Sequence, residues 1–255
     1  MHRTPGDFCW INVITPDPDG DRAFFTAVLD WRYAEIPGMG WRILVDGKQA
    51  GGIFPNHTPD GRVFPPGIGV MVQVADATAS AERMRALGGR AAPPMAIGPN
   101  GIMVDAADPD GAGIDLWQSG AEASAQHDLT AHGAPFWYEL VSHDVARSAA
   151  FYHELFGWTT VPQPMPDFTY TVLQHAGRSI AGIMPYLPHM PSFPPFWATY
   201  MQVRDVDAAV AAAVQAGGTI CMDATELPTV GRLAGIVSPR GVMFYVMGPQ
   251  PTAIA

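Results

Sequence analysis

The chain has 255 residues, of which 48% are hydrophobic and only 15% charged, so each half is long enough for an ordinary single-domain core. Its net charge of −10 leaves a nucleic-acid partner without the basic face that it needs. No run approaches the roughly 18 apolar residues of a membrane span, and the N-terminal MHRTPGDF lacks the apolar region of a signal peptide. We therefore expect a cytoplasmic protein with neither a nucleic-acid nor a membrane partner.

The first half begins with a predicted strand and helix. Cys9–Ile14 is apolar and β-branched, and the prolines and aspartates that follow it end the strand. Arg22–Leu29 has apolar residues at helical spacing. Trp41–Val45 and Gln49–Phe54 flank Asp46-Gly47, which is a strong type I′ hairpin signal.

A second set of elements follows the proline-rich connection Pro55–Pro66. Val70–Val74 predicts a strand, and Ala77–Leu87 predicts a helix ended by Gly-Gly, because glycine tolerates a left-handed cap. A Pro-x-Gly turn at 109–111 bounds the final strand pair. Gly120–Gly133 is small, polar and without periodicity, and we interpret it as a linker.

The second half repeats this order. Trp10 and Trp31 recur 127 residues later as Trp137 and Trp158, and Ile53–Pro55 recurs 130 residues later. A period above a hundred residues means duplicated domains. We place the first domain at 1–119, the linker at 120–133 and the second domain at 134–255. The elements of the second half are predicted at Phe136–Val141, Ala146–Phe156, Tyr170–Gln174, Ser179–Met184, Thr199–Val203 and Val206–Ala216.

Four strand–helix–strand–strand–strand modules, two in each half, predict an α+β fold. Each pair would wrap a curved mixed sheet of about eight strands around an open cup. We call the concave sides of the two sheets the first cup and the second cup, and a small ligand would bind there. We expect a monomer with internal pseudo-twofold symmetry. The two cysteines, Cys9 and Cys221, occupy non-equivalent places in the halves and are expected to be buried free thiols.

Several motifs resemble the vicinal oxygen chelate superfamily: Asp205-Val206-Asp207 after a strand, Gly217-Gly218 after a helix, the Pro-x-Gly turn before the last strand, and the paired modules. That superfamily includes glyoxalase I, extradiol dioxygenases, fosfomycin-modifying enzymes and bleomycin-resistance proteins. The tandem layout is similar to an actinobacterial subgroup labelled hydroxylase or glyoxalase-like. The resemblance implies two tandem glyoxalase-like domains of paired βαβββ modules. It does not specify the reaction, because one cup serves lyases, oxygenases and pure binders.

The resemblance also implies where a metal would bind. Metal enzymes of this family take ligands from the first strand, the strand opening the second module, and the last strand. The matching residues are Asn12, Gly69 and Asp115 in the first half, and Glu139, Ala198 and Tyr245 in the second. Glycine and alanine cannot ligate through a side chain, and a transition metal wants three or more N or O donors. We expect no cofactor, with one divalent metal ion as the alternative.

Family members can exchange modules between halves, and such an exchange would change the expectation that no metal binds. Glu139 and Asp115 would then face each other in one cup. Two carboxylates without imidazole could bind Mg²⁺, Mn²⁺ or Ca²⁺ weakly. Alternatively they would share a proton, so that one becomes a general base.

Glu139 and Asp115 are the candidate catalytic residues. An ionised Glu139 inside an apolar strand is costly unless it is paired, hydrated or protonated. The alternative is a structural acid, hydrogen-bonded to a tyrosine or to the backbone. We expect the more polar cup, which contains Glu139, to be the working one.

The candidate ligand-binding residues lie on the same strand faces as these acids. Tryptophans there would form an aromatic wall for a flat apolar ligand, or would simply pack where sheets meet helices. The candidates are Trp10, Asn12, Trp117, Trp137 and Tyr245.

Three functions follow from these observations. The first is a metal-free protein that binds a small apolar or aromatic metabolite, with or without acid–base catalysis by Glu139 or Asp115. The second is a metal-dependent lyase or oxygenase of glyoxalase or dioxygenase type, and the third is a protein-interaction scaffold with filled cups. No Gly-x-Ser-x-Gly, P-loop, Rossmann or Cys-x-x-Cys motif occurs, so acyl transfer and nucleotide chemistry have no support.

Overall fold

The computed structural model describes residues 3–58, 61–120, 125–188, 190, 193–228 and 230–248. Two eight-stranded mixed sheets and four α-helices form the predicted α+β fold, with one sheet in each half. Within the described ranges, none of the helices combines the length and hydropathy needed to cross a bilayer.

The first half supplies ten strands, two helices and a short 3₁₀ turn at Gly98–Asn100. They are β1 (Phe8–Thr15), α1 (Pro18–Leu29), β2 (Arg32–Ile36), β3 (Gly40–Val45), β4 (Lys48–Pro55), β5 (Gly67–Gln73), α2 (Ala77–Ala86), β6 (Arg90–Ala91), β7 (Met95–Ala96), β8 (Gly101–Val104), β9 (Ala106–Ala107) and β10 (Asp115–Ser119). The spatial order in the first sheet is β2-β3-β4-β1-β5-β10-β8-β7, and β6 and β9 form a separate ribbon.

The second half repeats the pattern with eight strands and two helices. They are β11 (Pro135–Ser142), α3 (Val145–Phe156), β12 (Thr159–Pro164), β13 (Thr169–His175), β14 (Arg178–Pro185), β15 (Phe196–Gln202), α4 (Val206–Gln215), β16 (Thr219–Leu227), β17 (Gly231–Val237) and β18 (Met243–Gly248). The order in the second sheet is β12-β13-β14-β11-β15-β18-β17-β16.

Both modules of each sheet come from the same half. β1 pairs antiparallel with β5, and β11 pairs in the same way with β15. Ile11 lies opposite Val70, and both are buried in the core, so this register buries the apolar faces of both strands. The module exchange considered above is therefore wrong: Asp115 belongs to the first sheet and Glu139 to the second, and they do not share a cup.

Local signals explain where the helices begin. The aspartate before each of the four helices accepts a hydrogen bond from a backbone N–H of the first turn, the acceptors being Asp17, Asp76, Asp144 and Asp205. The first helix starts at Pro18, earlier than the periodicity predicted, because Asp17 caps it and proline is favourable in the first turn.

The predicted tight turn at Asp46-Gly47 is confirmed, and the second half has an equivalent turn at Ala176-Gly177. Asp46 and Gly47 have φ of 47° and 73°, and Ala176 and Gly177 have 48° and 73°, so all four adopt the positive φ of a type I′ turn. The two cysteines are free, as expected. Cys9 is buried, but Cys221 is exposed and not buried as predicted, because it lies on the edge strand β16.

Two tryptophans link the halves symmetrically. The Trp31 indole donates to the Gly133 carbonyl at 2.7 Å, and the Trp158 indole donates to the Gly6 carbonyl at 2.8 Å. Each glycine precedes the first strand of the opposite half. Phe8 also stacks on Tyr138 with ring centroids 4.0 Å apart, so one core runs through both halves.

Residues 125–133, at the end of the predicted linker, pack against both halves. The N–H groups of Ala125 and Gln126 donate to the carbonyls of Cys9 and Gln49. The His127 imidazole is 1% exposed, and its Nε2 lies 3.0 Å from the Pro135 carbonyl oxygen. This part of the connection is therefore a packed element.

Candidate functional site

The first cup contains a cavity of about 280 Å³. Most of its lining is apolar, and two tryptophans and four methionines dominate it. These six are Trp10, Trp117, Met39, Met71, Met95 and Met103. The cavity is large enough to hold a small molecule, and its walls suit an apolar one.

Strand alternation places these side chains. In β1, Ile11 and Val13 are fully buried on the helix-facing side, whereas Trp10, Asn12 and Ile14 line the cavity on the other side. Sequence reasoning identified Trp10, Asn12 and Trp117, and the structure brings all three to this lining. Their role in binding a ligand stays a prediction.

A hydrogen-bond chain runs along the cavity wall. The Trp10 indole N–H donates to Asn12 Oδ1 at 3.0 Å, and Asn12 Nδ2 donates to the Met71 sulfur at 3.6 Å. Because an indole can only donate, it orients the amide so that the Asn12 oxygen faces Trp10. The NH₂ group of Asn12 is thus left with a weak sulfur acceptor.

Sequence reasoning missed the methionines of this cavity and Arg42. The available signal was alternation in the predicted hairpin, since Arg42 precedes the buried Ile43 and must face the opposite side. Arg42 lies opposite Gly52, and Gly52 also lies opposite Asn12 on the other side. Arg42 and Asn12 therefore occupy one row across the sheet.

Asp115 does not line this cavity. It borders a second cavity of about 230 Å³, together with Gly69 from β5 and with Phe196 and Trp197 from the second half. Its Oδ1 accepts a hydrogen bond from the Ala106 N–H at 3.2 Å. Burial raises the pKa of Asp115 to about 7, despite that hydrogen bond.

The second cup brings together the other three predicted residues. The Tyr200 hydroxyl donates to Glu139 Oε1 at 2.9 Å, and Tyr170 also hydrogen-bonds to this carboxylate. The Trp137 indole donates to the Tyr170 hydroxyl at 3.0 Å, and Tyr245 stacks on Tyr200 with centroids 4.8 Å apart. The structure thus shows the tyrosine hydrogen bond that the structural interpretation of Glu139 required.

The surroundings of Glu139 raise its pKa above the ordinary value of a glutamate. Burial raises the pKa of Glu139, and the hydrogen bonds from Tyr170 and Tyr200 lower it by less. Sequence reasoning missed both tyrosines. Tyr200 could have been found, because it lies on the strand face of Ala198 and two residues beyond it.

The donors at the family's metal positions do not fit a three-ligand centre. In the first sheet Asn12 lies opposite Gly69, and in the second Glu139 lies opposite Ala198. Neither Gly69 nor Ala198 offers a side-chain donor. Across the described part of the chain, no group of three His, Cys, Asp or Glu side chains is arranged to hold an ion.

One segment of the chain matches a family model, and the chain is similar to several curated proteins. Residues 136–174 match the family model described as bleomycin resistance protein-like N-terminal. A Mycobacterium tuberculosis protein named "Putative glyoxylase CFP32" is 30% identical over 251 residues, covering 95% of this chain and 94% of that protein. The anthracycline biosynthesis protein DauV of Streptomyces sp. strain C5 is 36% identical over 129 residues, covering 46% of this chain and 47% of that protein.

Solved structures share the fold. A Mn(II)-bound glyoxalase from Novosphingobium aromaticivorans superposes with a TM-score of 0.67 at 16% identity, covering 98% of this chain and 84% of that one. The 2,2',3-trihydroxybiphenyl 1,2-dioxygenase of Sphingomonas wittichii strain RW1 also gives 0.67, at 11% identity, covering 96% and 91%. At these identities the likeness concerns the architecture and not the reaction.

Proposed function

Because the chain belongs to the vicinal oxygen chelate superfamily, we propose that its first cup binds a small apolar or aromatic molecule without a metal ion. The observation that carries this proposal is the cavity of about 280 Å³ in the first cup, walled by Trp10, Trp117 and four methionines. The scaffold hypothesis required filled cups, and this cavity disfavours it.

The chemistry of the walls supports a flat ligand. Tryptophan offers a large planar apolar surface, and ring–ring contacts stabilise a bound aromatic beyond simple burial. Methionine side chains are flexible and polarisable, so they adapt to the outline of a ring system. Two Streptomyces relatives are named anthracycline biosynthesis proteins, and this is consistent with a polycyclic aromatic ligand class.

The donor set supports binding without a metal. In this cup Gly69 stands where the family places its middle ligand, and Asp115 hydrogen-bonds to the backbone of Ala106. Contacts with the tryptophans and methionines would therefore supply the affinity. A metal-dependent lyase or oxygenase remains the alternative, and chelation distinguishes the two.

The test is calorimetric titration with naphthalene-2-carboxamide, a neutral planar probe. Trp10→Ala should weaken binding about tenfold or more, because a large aromatic contact is lost. Trp137→Ala is the matched control, since Trp137 is the counterpart of Trp10 in the second cup. The affinity should be unchanged after dialysis against EDTA.

Two results would refute parts of this proposal. Binding that disappears with EDTA and returns with Mn²⁺ would establish a metal-dependent site. Binding that is sensitive to Trp137→Ala and insensitive to Trp10→Ala would place the ligand in the second cup.

The Glu139 network favours a second candidate function in the second cup, acid–base catalysis. A buried carboxyl with a raised pKa, held by Tyr170 and Tyr200, resembles the arrangement of a general base beside hydroxyl donors. The Glu139 carboxylate would remove a proton from carbon next to a carbonyl, and a tyrosine O–H would donate to the resulting enolate oxygen. A positioned base contributes roughly 10²–10⁴-fold in rate.

This candidate is tested with 2-tetralone in D₂O, by following loss of its α-proton signals by NMR. Glu139→Gln should abolish the protein-dependent exchange, whereas Trp10→Ala in the first cup should leave it intact. Exchange that continues at the same rate in Glu139→Gln rules out the role of Glu139 as base.

A further inference from the structure

The polar side chains that line the cavity of the first cup carry charge of one sign. Its polar lining consists of Asn12, Arg42, Gln49 and Asn100, and of the lining residues that the structure describes, only Arg42 carries a charge. No described lining residue is acidic, although the chain as a whole has a net charge of −10. The charge in this cavity is therefore positive, against the sign of the molecule.

Asn12 adds a donor to this positive end. Its oxygen accepts from Trp10, while its NH₂ group donates to the Met71 sulfur. Thioether sulfur is a weak hydrogen-bond acceptor, so the Asn12 NH₂ group would form a stronger hydrogen bond with a ligand oxygen in its place. The polar group that Asn12 can offer to a ligand is therefore an N–H donor.

Arg42 and Asn12 can reach one ligand group together. Both lie opposite Gly52, which is on the strand between them, and so their Cα atoms are about 10 Å apart on one face of the sheet. Gly52 has no side chain, and the Phe54 ring fills the space that one would take, so this ring forms the floor between Arg42 and Asn12. A guanidinium has five N–H donors, so it can bind an anion while keeping another partner.

The second cup carries different residues in the equivalent row. Gly182 corresponds to Gly52, and its two neighbours across the sheet are Val172 and Glu139. The cation of the first cup is thus replaced by valine, and the amide is replaced by an acid. The two cups therefore differ in charge as well as in shape.

We infer that the first cup is selective for planar aromatic anions, whose carboxylate or phenolate oxygens accept hydrogen bonds from Arg42 and Asn12. The ring system lies between the tryptophans and the methionines. This inference rests on the proposed function and names its ligand class. Charge-assisted hydrogen bonds to a guanidinium are stronger than neutral ones, and they provide the selectivity.

The experiment compares two probes of the same shape by calorimetry, naphthalene-2-carboxylate and naphthalene-2-carboxamide. The wild-type protein should bind the carboxylate about tenfold more tightly or better. Arg42→Met should reduce this preference to less than about twofold, because losing the guanidinium weakens binding of the carboxylate more than binding of the neutral carboxamide. Arg32→Met is the matched control, because Arg32 is exposed on the neighbouring strand β2 and does not line the cavity.

A second measurement needs no variant. Raising the NaCl concentration should weaken binding of the carboxylate and not of the carboxamide, since an ion pair is screened by salt. This arm keeps the inference testable even if Arg42→Met does not fold.

The outcomes separate this inference from the proposed function. If the carboxamide binds in a Trp10-dependent way and the carboxylate is not preferred, the inference is wrong and the proposed function stands. If Arg42→Met weakens both probes equally, Arg42 only shapes the cavity, and the inference is again wrong. If neither probe binds to the wild-type protein, both proposals fail.

Discussion

The wild-type protein should become less stable in mild acid because of His127, and replacing His127 with glutamine should prevent this decrease. The His127 imidazole is buried, and its Nε2 lies 3.0 Å from the carbonyl oxygen of Pro135. Burial lowers the pKa of His127 to about 4, and the charge of Arg3 adds to this effect. Glutamine can keep the hydrogen bond to Pro135 and cannot take up a proton.

The direction and size of this change in stability follow from the pKa values of His127 in the folded and unfolded states. An unfolded chain protonates histidine with a pKa of about 6.5, so the unfolded state binds more protons between about pH 6.5 and pH 4. Stability is therefore complete above about pH 6.5 and falls as the pH decreases. The two pKa values differ by about 2.5, so the free energy of unfolding should decrease by about 3 kcal/mol once the pH is below both of them.

Urea unfolding at a series of pH values between about 7.5 and 4.5 measures this effect. The free energy of unfolding should fall by about 2 to 3 kcal/mol more in the wild-type protein than in His127→Gln. Carboxyl groups titrate in both proteins, so they cancel in the difference. His57→Gln, at an exposed position, is the matched control for a histidine-to-glutamine substitution. Parallel curves for the wild type and His127→Gln would refute the reasoning.

Three further predictions concern other buried polar groups. Asp115→Asn should stabilise the protein above pH 7 by no more than about 4 kcal/mol, because the raised pKa of Asp115, about 7, disfavours the folded state only where the group ionises. In urea unfolding, the difference between the two proteins should vanish near pH 4. A difference that stays constant with pH would contradict this. Trp31→Phe should lower the free energy of unfolding by about 2 to 4 kcal/mol, since the buried hydrogen bond to the Gly133 carbonyl is lost and a small void remains; an unchanged denaturation midpoint would show that this link between the halves is dispensable. Tyr200→Phe should raise the pKa of Glu139 further, because a donor to the carboxylate is removed; ¹³C NMR titration checks this, and an unshifted midpoint would mean that the hydrogen bond does not form.

Much of the fold could be predicted from local patterns. Aspartates before the helices, the Asp46-Gly47 turn and the alternation in β1 act over a few residues, so the sequence shows them directly. The repeat spacing then predicted two halves of paired modules, and the structure shows them. The same alternation placed Trp10 and Asn12 on the cup side correctly.

The site itself depended on contacts that the sequence does not show. Pairing of β1 with β5 separates Glu139 from Asp115, and this choice depends on which distant strands bury their apolar faces together. The cavity between Trp10, Arg42 and the methionines combines strands far apart in the chain.

The sequence by itself therefore determined the elements, their duplication and the face on which each strand residue lies. Only the tertiary structure decided which strands became neighbours, and with that which side chains share a cavity, which acids are buried and how the connection between the halves packs. The physical reason is the distance along the chain over which each kind of interaction acts. Capping, turn geometry and strand alternation act within a few residues, whereas burial, pKa shifts and cavity shape depend on groups that folding brings together from distant parts of the chain.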